Sequence, residues 1–437
     1  MENMLGDEYA DFLASYEKDK IQGLRINTLK SDGSAVFDEF DLKPVDWCDS
    51  GYYFNGDDRP GKSVLHEGGA FYIQEPSAMT AVESMDIQKG DKVLDLCAAP
   101  GGKSSQIACK LQGSGLLVSN EIIPSRAKIL SQNVERMGVR NCVVLNESPD
   151  SLSRRLKGVF DKILVDAPCS GEGMFRKNAL AIDEWSLANV ENCKQRQLDI
   201  LECAVKMLKA GGVIVYSTCT FSKQENEEVI DEFLQNNSDF QVVDSKFKFC
   251  SGYALDGSKF NDKLVRTNRI FPHKFEGEGH FFAVLKSNDE ISDSKYALQS
   301  SKVDVKAVKE FKAWQNENLN IELDANLSFG QALYCMPGGT PRLDGLKVER
   351  VGLQLGEYKK NRFEPSHALA MALKDSDVKR VLSLTKQDAE KYLSGQTLDA
   401  SGNRGWALAT YRGVSLGWCK CDGEYAKNHY PKGLRKL

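Results

Sequence analysis

The chain is short of several features that would place it quickly. No apolar run approaches the roughly 20 residues of a membrane-spanning helix, so no membrane role is expected. The opening Met1-Glu2-Asn3-Met4-Leu5-Gly6-Asp7-Glu8 is acidic and lacks the basic start and apolar stretch of a secretory signal. The 12 cysteines are scattered without a disulfide-like framework, the usage expected of a reducing cytoplasm. Cys419 and Cys421 stand close together with no second pair to complete a zinc site, so they read as structural and no metal is expected. Internal repeats and low-complexity tracts are missing. So are both common nucleotide-loop patterns, G-x-G-x-x-G and G-x-x-x-x-G-K-[ST]. Lys103-Ser104 would end the second, but no glycine stands at its first position.

With 437 residues the chain has room for about two to four domains and a large core. Its 41% hydrophobic and 27% charged content is ordinary for a globular protein. The net charge of −5 is unevenly spread: residues 341–437 hold 18 Lys and Arg against 11 Asp and Glu, +7, which leaves −12 on the rest. A basic end on an acidic body fits RNA docking at that end, or only a solvated surface.

Up to about Gly69, short segments such as Gly23–Leu29 and Gly51–Phe54 predict a small α/β appendage. From Ala70 to Lys286, strands alternate with helices, the pattern of a mostly parallel sheet. Leu198, Leu201, Ala204 and Leu208 recur at helical spacing in Cys193–Lys209, and Gly211-Gly212 reads as the stop. Residues 287–301 read as a linker, and Val305–Asn316 as a helix with Phe311 and Trp314 on one side. Within 339–437, Gly405–Thr410 and Val414–Trp418 read as strands joined at Tyr411-Arg412-Gly413, in a β-rich module. The expected divisions are therefore 1–69, 70–286, 287–338 and 339–437.

Three segments carry chemistry. In Val93-Leu94-Asp95-Leu96-Cys97-Ala98-Ala99-Pro100-Gly101-Gly102-Lys103, a strand gives way to a small-residue turn and a helix start, which is a nucleotide-type site. The next strand, Leu116–Ser119, ends at Asn120-Glu121, where an acid can accept from both ribose hydroxyls of an adenosine ligand. The other two segments, Ile163-Leu164-Val165-Asp166-Ala167-Pro168-Cys169 and Val213-Ile214-Val215-Tyr216-Ser217-Thr218-Cys219, each bring a cysteine to the carboxyl end of a strand. Each thiol alone fits a small core residue. Arriving together at the ligand edge of a sheet, they point to covalent chemistry.

Together CAAPGGK, DAPCSGEGMF and STCTF resemble the Sun-type family of RNA cytosine-C5 methyltransferases, which use S-adenosylmethionine. The resemblance continues through Arg269-Ile270-Phe271-Pro272-His273, Gly279-His280-Phe281-Phe282 and Lys427–Arg435. It is strongest to the bacterial small-subunit ribosomal RNA methyltransferase F group. It implies a Rossmann-like S-adenosylmethionine methyltransferase domain closed by an antiparallel hairpin at Phe281–Leu285, an N-terminal RNA-holding appendage and a C-terminal PUA-like module. The implied substrate is ribosomal RNA, possibly within the small subunit, and a cytoplasmic monomer is expected. By the same resemblance Cys219 is the nucleophile and Cys169 serves release. Asp166 lies between cofactor and base, and Lys103 is either a proton-handling group or a solvated helix-start lysine. Cys97, Ala98, Ala99, Pro100, Gly101, Gly102 and Lys103 would wrap the cofactor, with Glu121, Arg126 and Asp166. Some relatives place an aspartate on the adenine where this chain has Ser148, so Ser148, Asn146 or Glu147 takes that contact. Trp406, Trp418 and Tyr430 either stack on bases or belong to the module's core.

Two other readings compete. A nicotinamide dehydrogenase shares the strand-turn-helix and acid but leaves both cysteines idle. A catalytically silent ribosome-assembly factor would not need Cys169 and Cys219.

Overall fold

A computed structural model describes residues 1–177, 182–183, 185–290, 295–360 and 362–435. A ten-stranded sheet lies at its centre. Five parallel strands form its middle, in the spatial order Cys142–Leu145, Leu116–Asn120, Lys92–Asp95, Phe160–Asp166 and Leu208–Thr218. They are near-continuous Val, Leu and Ile runs because helices cover both faces. Leu198, Leu201 and Ala204 pack on one face against Ile163, Val165 and Ile214. Ile107, Leu130 and Val134 pack on the other against Val93, Leu117 and Val144. Chain order reverses at Lys92–Asp95, so the crevice beyond that strand is the switch point where ligands bind in such sheets. His280–Ser287 lies antiparallel to Leu208–Thr218, and Phe240–Val243 pairs with it to complete the closing hairpin.

The helix predicted over Cys193–Lys209 runs Leu187–Met207, started by the Ser186 side chain accepting from Asn189 N–H. Gly211 and Gly212 do not stop it. They lie within the next strand, where Gly211 has φ 72° and a Cβ on Gly212 would sit 2.9 Å from the Asp161 carbonyl oxygen. Here the glycines serve a strand irregularity, a local need that helix periodicity does not register.

At the N-terminus a four-stranded sheet has the order Leu42–Val45, Cys48–Phe54, Gly23–Ile26, Phe71–Ile73. At the C-terminus the hairpin Arg404–Tyr411 with Val414–Asp422 forms the centre of a five-stranded sheet. These two ends share one core: Leu24, Ile26 and Phe71 pack with Tyr392, Ala407 and Leu416. Between them, Leu327–Phe329, Ala332–Cys335, Leu353–Lys359 and Arg362–Pro365 form another sheet, packed by Phe311 and Trp314 of the helix Val305–Asn318. Val348–Val351 leaves it to pair with Cys142–Leu145 at the edge of the central sheet. The division expected at 338/339 thus falls inside one sheet, since Gly338-Gly339 lies in a connection between its strands. Of the expected linker, 291–294 lie outside the described residues; nearby, the Tyr296 hydroxyl donates to Gly339 O at 3.0 Å. Residues 361, 436 and 437 of the basic end also lie outside them.

Cys419 and Cys421 are buried in the strand Val414–Asp422. Trp418 is 2% exposed and its indole N–H donates to Ser366 O at 2.9 Å, and Tyr430 is buried, so both belong to the core. Trp406 is half-buried, with Lys420 Nζ 5.5 Å from its ring centroid.

Candidate active site

The two cysteine loops meet at the carboxyl edge of the sheet, with Cys169 Sγ 3.3 Å from Cys219 Sγ. Adjacent parallel strands deliver them: Asp166 pairs with Ser217, and each thiol follows shortly after. A buried network beneath fixes the spacing. The Glu225 carboxylate accepts from Ser170 N–H (2.9 Å), the Ser170 hydroxyl (2.5 Å) and Gln197 Nε2 (2.9 Å). Ser170 Oγ also lies 3.0 Å from Thr220 Oγ1, and Gln197 Nε2 donates to Pro168 O at 3.0 Å. Cys169 is therefore followed by a residue bound to this carboxylate, and Cys219 by one that bonds to that residue's hydroxyl. Asn226 Oδ1 accepts from the Thr218 hydroxyl at 2.6 Å, and Gly173 N–H donates to Cys219 O at 2.9 Å. The hydrogen bond with Cys219, together with burial, pushes the Cys169 thiol well above its ordinary range, so Cys169 stays protonated.

Beside the thiols, Lys103 Nζ lies 2.9 Å from Asp166 Oδ2, and the Ser217 hydroxyl donates to Asp166 Oδ1 at 2.8 Å. Burial works against both charges, but each holds the other ionised. The lysine pKa is raised by the Asp166 carboxylate and the Cys219 sulfur, and the Asp166 pKa is lowered by Lys103. Lys103 is mostly buried and paired, so it is not a lysine in solvent.

The turn after Lys92–Asp95 faces the same crevice. Gly101 has φ 116°, in the region that favours glycine, and a Cβ there would lie 3.2 Å from Leu130 Cδ1. A Cβ on Gly102 would lie 3.2 Å from the Tyr72 ring. Among the described residues no side chain caps the helix Gly102–Leu111, so its first N–H groups remain available to a ligand. Ala98 N–H donates to Asn120 O at 2.8 Å, fixing the turn to the next strand. Ala99 O accepts from Arg126 Nη2 at 2.9 Å, and Arg126 Nη1 lies 3.5 Å from Glu121 Oε2. Glu121 is buried, and its Oε1 accepts from Ile123 N–H at 2.9 Å, which presets the carboxylate. Burial, with Asp95, Asp166 and Glu121 nearby, pushes the Cys97 thiol up, so Cys97 is a neutral wall here.

Lys103 and Asp166 are thus joined to each other, and Ala99 and Glu121 to Arg126, at the carboxyl ends of the strands. Ser148 is the N-cap of the helix Pro149–Arg155, its hydroxyl oxygen accepting from Ser151 N–H at 3.2 Å. Asn146 points elsewhere, donating to Glu121 O (2.7 Å) and Ile122 O (3.0 Å), and Glu147 Oε1 accepts from Lys347 N–H at 2.8 Å. Sequence reading missed Asn120, Glu225, Gln197 and Asp95. Asn120 Nδ2 donates to Leu96 O (3.2 Å) and Glu147 O (3.0 Å), clamping the crevice floor. Asp95 Oδ2 accepts from the Ser104 hydroxyl at 2.7 Å, while its buried Oδ1 has no partner among the described residues. Burial raises Asp95 to about 7. For Asp95 and Asn120 a polar residue within or beside a motif strand was the available signal, whereas Glu225 and Gln197 lie outside the motifs and meet them only through long-range hydrogen bonds.

Comparison with known proteins decides the family. Residues 82–286 match the family described as 16S rRNA methyltransferase RsmB/F, and 1–76 match the N-terminal domain of 16S rRNA methyltransferase RsmF. Residues 312–373 match the RsmF first C-terminal domain and 379–436 the RsmF PUA domain. A ribosomal RNA small subunit methyltransferase F from Vibrio campbellii is 32% identical, over 97% of this chain and 93% of that protein. The chain belongs to the 16S rRNA methyltransferase RsmB/F family. A Vibrio cholerae protein of the same name is 31% identical, over 98% of this chain and 94% of its own. Among solved structures, a methyltransferase homologue from Pyrococcus horikoshii is similar at 27% identity and a TM-score of 0.57, over 64% of this chain and 91% of that one. A second Pyrococcus horikoshii protein, NSun6 with SFG, shares the fold at 20% identity and a TM-score of 0.57, over 66% and 97% of the two chains.

The cofactor is S-adenosylmethionine. The turn fits it: Gly101 and Gly102 keep the backbone clear, and the first N–H groups of the helix Gly102–Leu111 have no side-chain cap among the described residues.

Proposed function

We propose that this protein methylates carbon 5 of a cytosine in small-subunit (16S) ribosomal RNA, with Cys219 as nucleophile at carbon 6 and Cys169 serving release. The observation that carries this reading is the pair of thiols 3.3 Å apart beside the Lys103–Asp166 ion pair. Carbon 5 of cytosine is a weak nucleophile. Sulfur addition at carbon 6 breaks the ring's conjugation and makes carbon 5 enamine-like. Cys219 Sγ supplies the electron pair, since the thiolate is the nucleophilic form of cysteine. Asp166, held as a carboxylate, accepts from the 4-amino group of the ring.

S-adenosylmethionine supplies the methyl group for carbon 5. Cys97 to Lys103 hold its methionine and ribose portions, Glu121 with Arg126 the ribose hydroxyls, Ser148 the adenine, and Asp166 separates it from the base. After transfer a base takes the proton on carbon 5, and that bond's electrons restore the ring double bond as Cys219 leaves. Cys169, held as a thiol beside that sulfur, donates a hydrogen bond to the departing thiolate. The cytosine must be unpaired or flipped for carbon 6 to reach Cys219.

Residues 70–286 perform this chemistry on a cytoplasmic monomer. The appendage 1–69 and the basic end within 339–437 hold RNA by phosphate contacts and shape, and 287–338 connects them. Their shared core supports this reading, since it makes the two ends one platform. Bisulfite sequencing of 16S rRNA with and without the protein tests it. At least one cytosine should resist conversion only when the protein is present; an unchanged cytosine profile contradicts the proposal.

A further inference from the structure

We infer that His280 reads the 4-amino group of the target base through a lone pair on Nε2, and so separates cytosine from uracil. This rests on the cytosine reading above and names a specificity residue that the chemistry itself does not require.

His280 opens the strand His280–Ser287, which pairs Phe282 with Ser217 and Phe281 with Thr218. One further step along that register lies Cys219. Opposite residues of an antiparallel pair share a face, and faces alternate. His280 therefore lies on the face of Ser217, whose hydroxyl holds Asp166. The residue is 3% exposed, and Nε2 has no hydrogen-bond partner among the described residues. A hydrogen bond from the ring to the backbone of Gly279 favours the tautomer in which Nε2 is the acceptor. Burial and the Lys103 ammonium push its pKa down to about 3, so the ring stays neutral at any working pH.

A buried acceptor with no donor is costly unless a ligand supplies one. The 4-amino group of cytosine has two hydrogens. The Asp166 carboxylate takes one and Nε2 the other. Uracil presents a carbonyl oxygen at that place, which would face two acceptors. A site built on buried polar groups rejects an analogue that leaves them unpaired.

The test uses the full-length protein, labelled S-adenosylmethionine and an RNA oligonucleotide around a cytosine mapped by bisulfite sequencing. That position carries cytosine, uracil or 2-pyrimidinone, which lacks the 4-substituent. His280→Phe should lower the ratio of kcat/KM for cytosine over 2-pyrimidinone by about tenfold, the scale of one buried hydrogen bond. His280→Gln, which keeps an acceptor at similar reach, should retain most of the preference and remain inactive on uracil. Equal losses on cytosine and 2-pyrimidinone in His280→Phe, with cofactor affinity intact, would overturn the assignment while leaving the methyltransferase reading in place. If His280→Phe fails to fold, the glutamine variant decides, and loss of its preference overturns the assignment. A wild-type protein inactive on every cytosine oligonucleotide overturns both readings.

Discussion

Replacing Glu225 with alanine removes the acceptor that ties the two thiol loops together. Three donors converge on that carboxylate: Ser170 N–H, the Ser170 hydroxyl and Gln197 Nε2. Two of them keep a second partner, since Ser170 Oγ retains Thr220 Oγ1 at 3.0 Å and Gln197 retains Pro168 O at 3.0 Å. Ser170 N–H is left buried with none. One orphaned donor costs about 1–3 kcal/mol and each weakened bond about 1 kcal/mol, so Glu225→Ala should lose about 4 kcal/mol of stability. Urea unfolding would show this as a lower midpoint at unchanged slope. Under native conditions the spacing of Cys169 and Cys219 would relax, and kcat should fall about 10–100-fold with KM little changed. Glu225→Gln keeps one acceptor oxygen and should fall between. A loss below about 0.5 kcal/mol would refute the network. A large loss of stability with kcat intact would refute its role in setting the thiols.

Three further outcomes follow from the site. Burial raises the Asp95 pKa from 3.8 to about 7, so its contribution to stability is fully present below about pH 4 and is lost as pH rises through 7. Asp95→Asn should therefore stabilise the cofactor-free protein by about 3 kcal/mol more at pH 8 than at pH 5, and equal effects at both pH values would contradict this. Glu121→Ala should weaken S-adenosylmethionine by about 100-fold, the scale of two hydrogen bonds to a charged acceptor; calorimetry giving unchanged affinity rejects the ribose contact. Reversing Lys420, Lys427 and Lys432 to Glu should reduce the salt slope of rRNA binding by up to about 3, and an identical slope would place the RNA elsewhere. Deleting the chain after Gly338 would be a poorer test, because it strips Tyr392 and Leu416 from Leu24 and Phe71 and removes the edge strand Val348–Val351.

Local pattern made the catalytic half of the molecule legible. The strand runs, the small-residue turn and the cysteines after Asp166 and Thr218 each follow from a few contiguous residues, and the sheet then forces them to one edge. What the sequence hid was long-range. Glu225 serves Ser170 from 55 positions away. Nothing near Leu24 or Phe71 signals that they share a core with Tyr392 and Leu416. The strand Val348–Val351 is only four residues long and joins a sheet whose other strands come from a different segment, so no periodicity could assign it. Gly211 and Gly212 misled for a related reason, since glycine marks a helix end and a strand irregularity equally well.

The order of the two thiols is tested most directly by trapping. Purified Cys169→Ala and Cys219→Ala proteins are incubated with 16S rRNA and S-adenosylmethionine, then run on a denaturing gel. Addition precedes elimination, so blocking only the later step stores the intermediate. Cys169→Ala should accumulate a protein–RNA adduct that survives denaturation, and Cys219→Ala should give neither adduct nor methylation. An adduct from Cys219→Ala instead would make Cys169 the nucleophile, and no adduct from either variant would contradict covalent catalysis by this pair.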